Sequence, residues 1–468
     1  MRYLSTRGSA PALTFDEVLL AGLARDGGLY VPEAWPHFSK DEIAALAGKT
    51  YAQVVAAVTF AFVEGAIERP EYERLVNEAY AGFDHAAVAP LKQIDGNTWL
   101  LELFHGPTLS FKDYALQLLG RLLDHVLRKR GQRVTIVGAT SGDTGSAAIE
   151  AVKGRSAIDI FMLHPRGRVS EVQRRQMTSV LSSNVFNIAV EGTFDDCQDL
   201  VKAMFNDLAF RDEMKLTAVN SINFARIMAQ IAYYFWAAVA LGAPHRPVRF
   251  AVPTGNFGNV YSGYAAREMG LPISHMQIGS NRNDILTRFF ETGAMKIEGV
   301  EPSLSPSMDI QVSSNFERLL FDLYDRRGPA VAETMAAFRD KGVYEVGGNA
   351  MASARKLFSA YRLSDAQTLA MIGEVRKRTG EIVDPHSAIG VAGPWQHKSA
   401  SSEPTIVLAT AHPAKFPDAV EQAIGIRPPL PALLADLLTR EERCAALPNE
   451  AAALKAYMRS HASLKGAA

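Results

Sequence analysis

Three times along this chain a short β-branched run passes through a loop rich in Gly, Ser, Thr or Asn into a helical pattern. Arg133 to Ala139 (RVTIVGA) leads into Thr140 to Thr144 and an Ala-rich segment from Gly145. Arg249 to Pro253 (RFAVP) leads into Gly255 to Asn259 and a segment from Tyr261, and Thr405 to Ala409 (TIVLA) leads into a His/Pro loop and Pro417 to Ile424. Ile158 to Leu163 and Val185 to Val190 add two further strand-like runs, each followed by a helical pattern. Strands separated by helices predict parallel sheets covered on both faces, with ligands bound at the carboxyl ends of the strands.

The rest of the chain divides around this pattern. Asp41 to Val63 and Pro70 to Ala81 are helical in period, so residues 1–90 read as a helical N-terminal domain with Pro90 at the junction. Residues 91–428 read as two α/β lobes interleaved in sequence. The Ala, Leu and charge-rich 429–468 reads as a helical, peripheral tail. At 468 residues there is ample apolar surface for more than one core, and 48% hydrophobic against 21% charged residues is a globular composition.

Charge and cysteines exclude several classes. With 49 Lys plus Arg against 50 Asp plus Glu, the formal charge is -1, so no global field recruits nucleic acid or an anionic membrane, and any anion must be bound locally. Cys197 and Cys444 form no metal-ligand or CxxC spacing and fit a reducing cytosol. The opening MRYLSTRGSAPAL lacks the apolar stretch of a secretory signal, and the longest apolar run, Ile231 to Leu241, is too short to span a bilayer. A cytoplasmic protein is expected, as a monomer or small homo-oligomer.

Lys112 falls in the first turn of a helix expected to begin near Ser110, whose apolar positions recur at 115, 116, 118, 119, 122, 123, 126 and 127. A cation there opposes the helix dipole, and with apolar neighbours such as Phe111 the neutral, nucleophilic amine is favoured. A lysine so placed can equally be a solvated surface side chain. The loops argue otherwise. Gly255-Asn256-Phe257-Gly258-Asn259 joins a strand to a helix, so its N–H groups can converge on an anion, with Gly258 expected to need an open backbone. Gly142-Asp143-Thr144-Gly145 repeats that layout, with hydroxyls from Thr140, Ser141 and Thr144. Neither loop fits GxGxxG, and Gly48-Lys49-Thr50 fails as a P-loop because position 43 is Ile43. Asn220 to Arg226 offers amide, hydroxyl and guanidinium groups, a phosphate clamp or simply a capped helix start. His105, His386 and His412 show no HExxH spacing, so no metal is expected, and no GxSxG elbow is present.

Together, MRYLSTRG, ARDGGLYVPE, HGPTLSFKDYALQ, GATSGDTGSAA, VNSINFARI, PTGNFGN, SMDIQVSSNFERLL, DPHSAIG and ATAHPAKF resemble, in order and over nearly the whole chain, the threonine synthase family of pyridoxal-phosphate enzymes. The resemblance implies a fold-type II α/β architecture of the tryptophan-synthase-β class, pyridoxal 5'-phosphate as cofactor, and conversion of O-phospho-L-homoserine and water to L-threonine and phosphate, the last step of threonine biosynthesis. It implies that Lys112 holds the cofactor as an aldimine and serves as general base. Gly255, Asn256, Phe257, Gly258 and Asn259 would cradle the cofactor phosphate, and Thr410 would face the pyridine nitrogen. Thr140 and Ser141 match positions around the substrate carboxylate, and Thr144, Asn220, Ser221 and Arg226 match positions around the substrate phosphate. Related enzymes often carry Asn beneath the ring hydroxyl; here the residue is Asp143. An amino-acid dehydratase or phospho-lyase of the same fold, and a phosphometabolite-binding protein without catalysis, are the competing readings.

Overall fold

The computed structural model describes residues 1–218, 222–397 and 401–463. The chain forms two compact units, one of Met1–His105 with Ser221–Pro428 and one of Gly106–Asn220 with Pro429–Ala468. The first 90 residues therefore share a unit with a later segment. They also contain two short paired strands, Tyr3–Ser5 and Tyr30–Pro32, besides their helices.

The first unit holds a six-stranded sheet in the order Phe358–Arg362, Ile273–Ser280, Val248–Pro253, Thr405–Ala409, Thr98–Glu102 and Leu91–Gln93. All pairings are parallel except that of the edge strand Leu91–Gln93. Val248–Pro253 and Thr405–Ala409 are buried at every position, as central strands covered on both faces require. The helix Pro385–Gln396 packs Ile389, Val391 and Trp395 against Ala251 and Val407. The helix Phe224–Ala240, apolar nearly all round, is buried along almost its whole length, which places Arg226 inside the protein.

The second unit holds a parallel five-stranded sheet in the order Ala445–Leu447, Val185–Val190, Ile158–Pro165, Val134–Ala139 and Leu216–Thr217. The segment after Pro428 is not peripheral. Ala445–Leu447 extends this sheet, and Leu454 and Met458 of the helix Ala451–His461 enter the core beside Phe161, Ile188 and Leu200. The expected strands at 133–139, 158–163, 185–190, 249–253 and 405–409 all form, each within a residue or two of its expected bounds.

Candidate active site

In the second unit, the segment GPTLSFKD is built around Asp113. Its carboxylate accepts hydrogen bonds from the Thr108 backbone N–H (2.8 Å) and hydroxyl (2.7 Å), so the loop is pinned to the first turn of the helix Lys112–Lys129. Gly106 packs directly on that carboxylate, where a Cβ would meet Asp113 Cβ at 2.5 Å, so any side chain there would displace the loop. Lys112 is 7% exposed, and its Nζ lies 3.0 Å from Asp143 Oδ2. That carboxylate changes the expectation for the lysine. Dipole and apolar neighbours favour a neutral amine, but an opposite charge at contact favours the ammonium. The Asp143 carboxylate is thus placed to stabilise positive charge on the amine whenever it carries a proton.

Asp143 opens the helix Asp143–Val152, at the carboxyl end of Val134–Ala139. The Thr140 hydroxyl oxygen accepts from the Gly142 and Gly145 N–H groups, both at 2.9 Å, and so braces the loop while keeping one proton to donate. Ser141 is exposed and Thr144 half-buried, and neither hydroxyl has a partner among the described residues. Asn220 and Ser221 lie outside the described residues.

In the first unit, the loop after Val248–Pro253 turns its carbonyls one way and its amides the other. Gly255 O accepts from Ser313 Oγ at 2.7 Å, and Asn256 O accepts from the Asn315 N–H at 3.1 Å and Asn315 Nδ2 at 3.0 Å. The five backbone N–H groups of residues 255–259 have no acceptor among the described residues, at the start of the eleven-residue helix Gly258–Glu268. Donors so placed at a helix N-terminus are suited to receive an anion. The strained residue is Phe257, at φ 61°, rather than Gly258, and its fully buried ring packs against Phe316 to hold that conformation. Gly255 is needed for space, since a Cβ would sit 3.0 Å from Ile310 Cγ1 and 3.1 Å from Met308 Cα. Asn259 is anchored through its side-chain oxygen by Tyr233 (2.5 Å) and Tyr234 (3.0 Å) hydroxyls.

Thr410 follows Thr405–Ala409, the neighbour of Val248–Pro253 in the same sheet. Its N–H donates to Ser387 Oγ at 3.1 Å, while its hydroxyl has no partner among the described residues. Ser387 is positioned by Asp384, whose carboxylate caps the helix Pro385–Gln396 by accepting from the N–H groups of His386 and Ser387, both at 3.0 Å, and also holds His386 Nδ1 at 2.7 Å. Sequence reading missed this support, although DPHSAIG marked the place.

Arg226 carries the site's most telling geometry. Its side chain is 4% exposed, and neither Nε nor Nη1 finds a hydrogen-bond partner among the described residues, nor does any carboxylate pair with it. Burial pulls its pKa down to about 10, so it stays charged at neutral pH. An uncompensated buried cation is costly unless an anion arrives to pair with it. His105 lies instead between Asp84 (3.0 Å) and Glu102 (2.8 Å). Burial pushes His412 down to about 4, with the charge of His105 adding to the effect. No group of three or more His, Cys, Asp or Glu among the described residues could hold a metal ion.

Pyridoxal phosphate asks for a buried lysine, a phosphate cradle and a group for the pyridine nitrogen. Taken unit by unit, the first offers the amides of 255–259 and the Thr410 hydroxyl for the last two demands, and the second offers Lys112 as a buried lysine. A family model described as pyridoxal-phosphate dependent enzyme matches residues 85–340, so fold and residues define a fold-type II pyridoxal-phosphate enzyme. Models of the threonine synthase N terminus and C-terminal region match residues 2–80 and 387–458. A Pseudomonas aeruginosa threonine synthase is 58% identical over 98% of both chains. The crystal structure of a PLP-bound threonine synthase from Brucella melitensis, 54% identical, superposes with a TM-score of 0.97 over 99% of this chain and all of that one, and the Escherichia coli threonine synthase, 30% identical, with 0.82 over 99% and 100%. The chain belongs to the threonine synthase family.

The cradle yields a first expected result. Gly255→Val forces a branched side chain against Met308 and Ile310, shifting the amides, so the cofactor should be lost on dialysis of the variant while the parent retains it. Absorbance of the dialysed proteins checks this, and equal retention would remove the loop from the phosphate site.

Proposed function

We infer that this protein converts O-phospho-L-homoserine and water to L-threonine and phosphate, with Lys112, Thr410 and the 255–259 amides serving pyridoxal phosphate. The observation that carries the substrate choice is the buried guanidinium of Arg226, whose Nε and Nη1 have no hydrogen-bond partner among the described residues and which a phosphorylated substrate would satisfy and a plain hydroxy-amino acid would not. Bound pyridoxal phosphate supplies a conjugated electron sink for charge developing at the substrate Cα. Lys112 Nζ takes the Cα proton and can return it, within reach of the Asp143 carboxylate that stabilises the charge the amine acquires. Ser141 and Thr140 offer donors to the substrate carboxylate, and Thr144 with Asn220, Ser221 and Arg226 would bind its phosphate. Loss of a Cβ proton accompanies departure of phosphate from Cγ; Cγ then takes up a proton and becomes the methyl group, a water oxygen bonds to Cβ and sheds its extra proton, and return of a proton to Cα completes the conversion. The Thr410 hydroxyl, unlike a carboxylate, cannot hold a full positive charge on the ring nitrogen, which disfavours transamination.

No helix among the described residues is long and apolar enough to cross a membrane. We place the enzyme in the cytoplasm, as a monomer or small homo-oligomer acting on a small molecule. The test is to supply cofactor and O-phosphohomoserine and to assay threonine, phosphate and keto acid together. Equal threonine and phosphate with no keto acid is expected, whereas keto acid in place of threonine would identify a dehydratase-type lyase.

A further inference from the structure

We propose that Gln173 is a positioning residue that, through Asp143, sets the proton affinity of the Lys112 nitrogen. The three residues form one buried line, 5%, 4% and 7% exposed respectively. Gln173 Nε2 donates to Asp143 Oδ1 at 2.8 Å, and Asp143 Oδ2 faces Lys112 Nζ at 3.0 Å. The amide's orientation is fixed rather than free. Ser170, N-cap of the helix Glu171–Thr178, donates its hydroxyl to Gln173 Oε1 at 2.9 Å, which leaves the NH2 group for Asp143. The loop is shaped around this residue as well, since a Cβ on Gly142 would lie 2.6 Å from Gln173 Cδ, and Gly142 takes φ 137°.

Each link follows from burial. A buried carboxylate stays ionised only while its oxygens are hydrogen-bonded, and an ionised carboxylate favours positive charge on the adjacent nitrogen. Without the Gln173 donor, Oδ1 loses a bond, Asp143 takes up a proton more readily, and the charge facing Lys112 is lost. Among the described residues, several charged groups of the elements packed in this unit have partners of their own. Asp113 is held by Thr108, Glu150 pairs with Lys153, Asp124 with Arg155, Glu171 with Arg175, and Arg174 and Arg175 with Glu442.

The inference rests on Lys112 carrying the cofactor, so the test reads both. In the holoenzyme, the pH midpoint at which the visible absorbance of the bound cofactor changes reports the proton on the attached nitrogen. Gln173→Met, near in shape but without the amide, should lower that midpoint by about one pH unit or more, in the direction of Asp143→Asn. Adding Gln173→Met to Asp143→Asn should bring no further shift, because the first acts through the second. Ser170→Ala, at an exposed position, should move the midpoint less and in the same direction, and serves alone if Gln173→Met does not fold. A midpoint unmoved in Gln173→Met, or in Ser170→Ala where only that variant folds, overturns the proposal, as does full additivity with Asp143→Asn. Borohydride reduction of the parent locates the cofactor independently. With the adduct on Lys112, those failures count against Gln173 alone; with the adduct on another lysine, both readings fall.

Discussion

Lys112→Ala should lower turnover by at least about a thousandfold, because it removes both the attachment point and the base that moves the Cα proton, the latter alone supplying roughly 10²- to 10⁴-fold. It should also destabilise the fold. The substitution removes the Lys112 amine from beside the buried Asp143 carboxylate, a loss of up to about 3 kcal/mol for breaking a buried ion pair, reduced where Asp143 takes up a proton. Lys112→Arg separates the two effects, since a guanidinium restores the charge beside Asp143 but makes no bond to the cofactor. We expect Lys112→Arg to regain thermal stability over Lys112→Ala and to remain inactive. Turnover within tenfold of the parent in either variant would exclude Lys112 from the chemistry.

Arg226→Met should separate stability from activity in the opposite sense. In the free protein the guanidinium is buried without a partner among the described residues, so an apolar side chain of similar length should raise the melting temperature. Toward O-phosphohomoserine the same change removes a charge-assisted hydrogen bond of about 1.5 to 3 kcal/mol, and kcat/KM should fall roughly ten- to a hundredfold. Cofactor retention should stay unchanged. A residue kept for packing would give the reverse, a lower melting temperature with kcat/KM intact, and loss of cofactor instead would mean that Arg226 serves the cofactor's phosphate.

How far the sequence reaches is visible in these residues. The strands Val134–Ala139, Val248–Pro253 and Thr405–Ala409 are contiguous β-branched or apolar runs ending in loops, and central parallel strands look like that because both faces are covered. Ile273–Ser280 and Phe358–Arg362 escaped notice because His275, Gln277 and Ser359 break the apolar pattern. Ala445–Leu447 is three residues of low β-propensity, recruited by the free edge of Val185–Val190. Tertiary pairing, not local preference, makes it a strand. Lys112, the 255–259 loop and Arg226 were legible as types in context. Their energetic states were not, because the Asp143 partner and, among the described residues, the amides without acceptors and the guanidinium without a counter-charge arise only when distant segments meet. Gln173 gave no signal at all, being one polar residue in a polar helix of which only packing shows the inward face.

The central claim, elimination of phosphate followed by water addition at Cβ, is tested most directly by running the reaction in ¹⁸O-labelled water. Cleavage between Cγ and oxygen leaves the phosphate with its original oxygens, so the account predicts label in the β-hydroxyl of threonine and none in the phosphate formed by the enzyme. Label in the phosphate, with homoserine as the organic product, would show attack at phosphorus and contradict it.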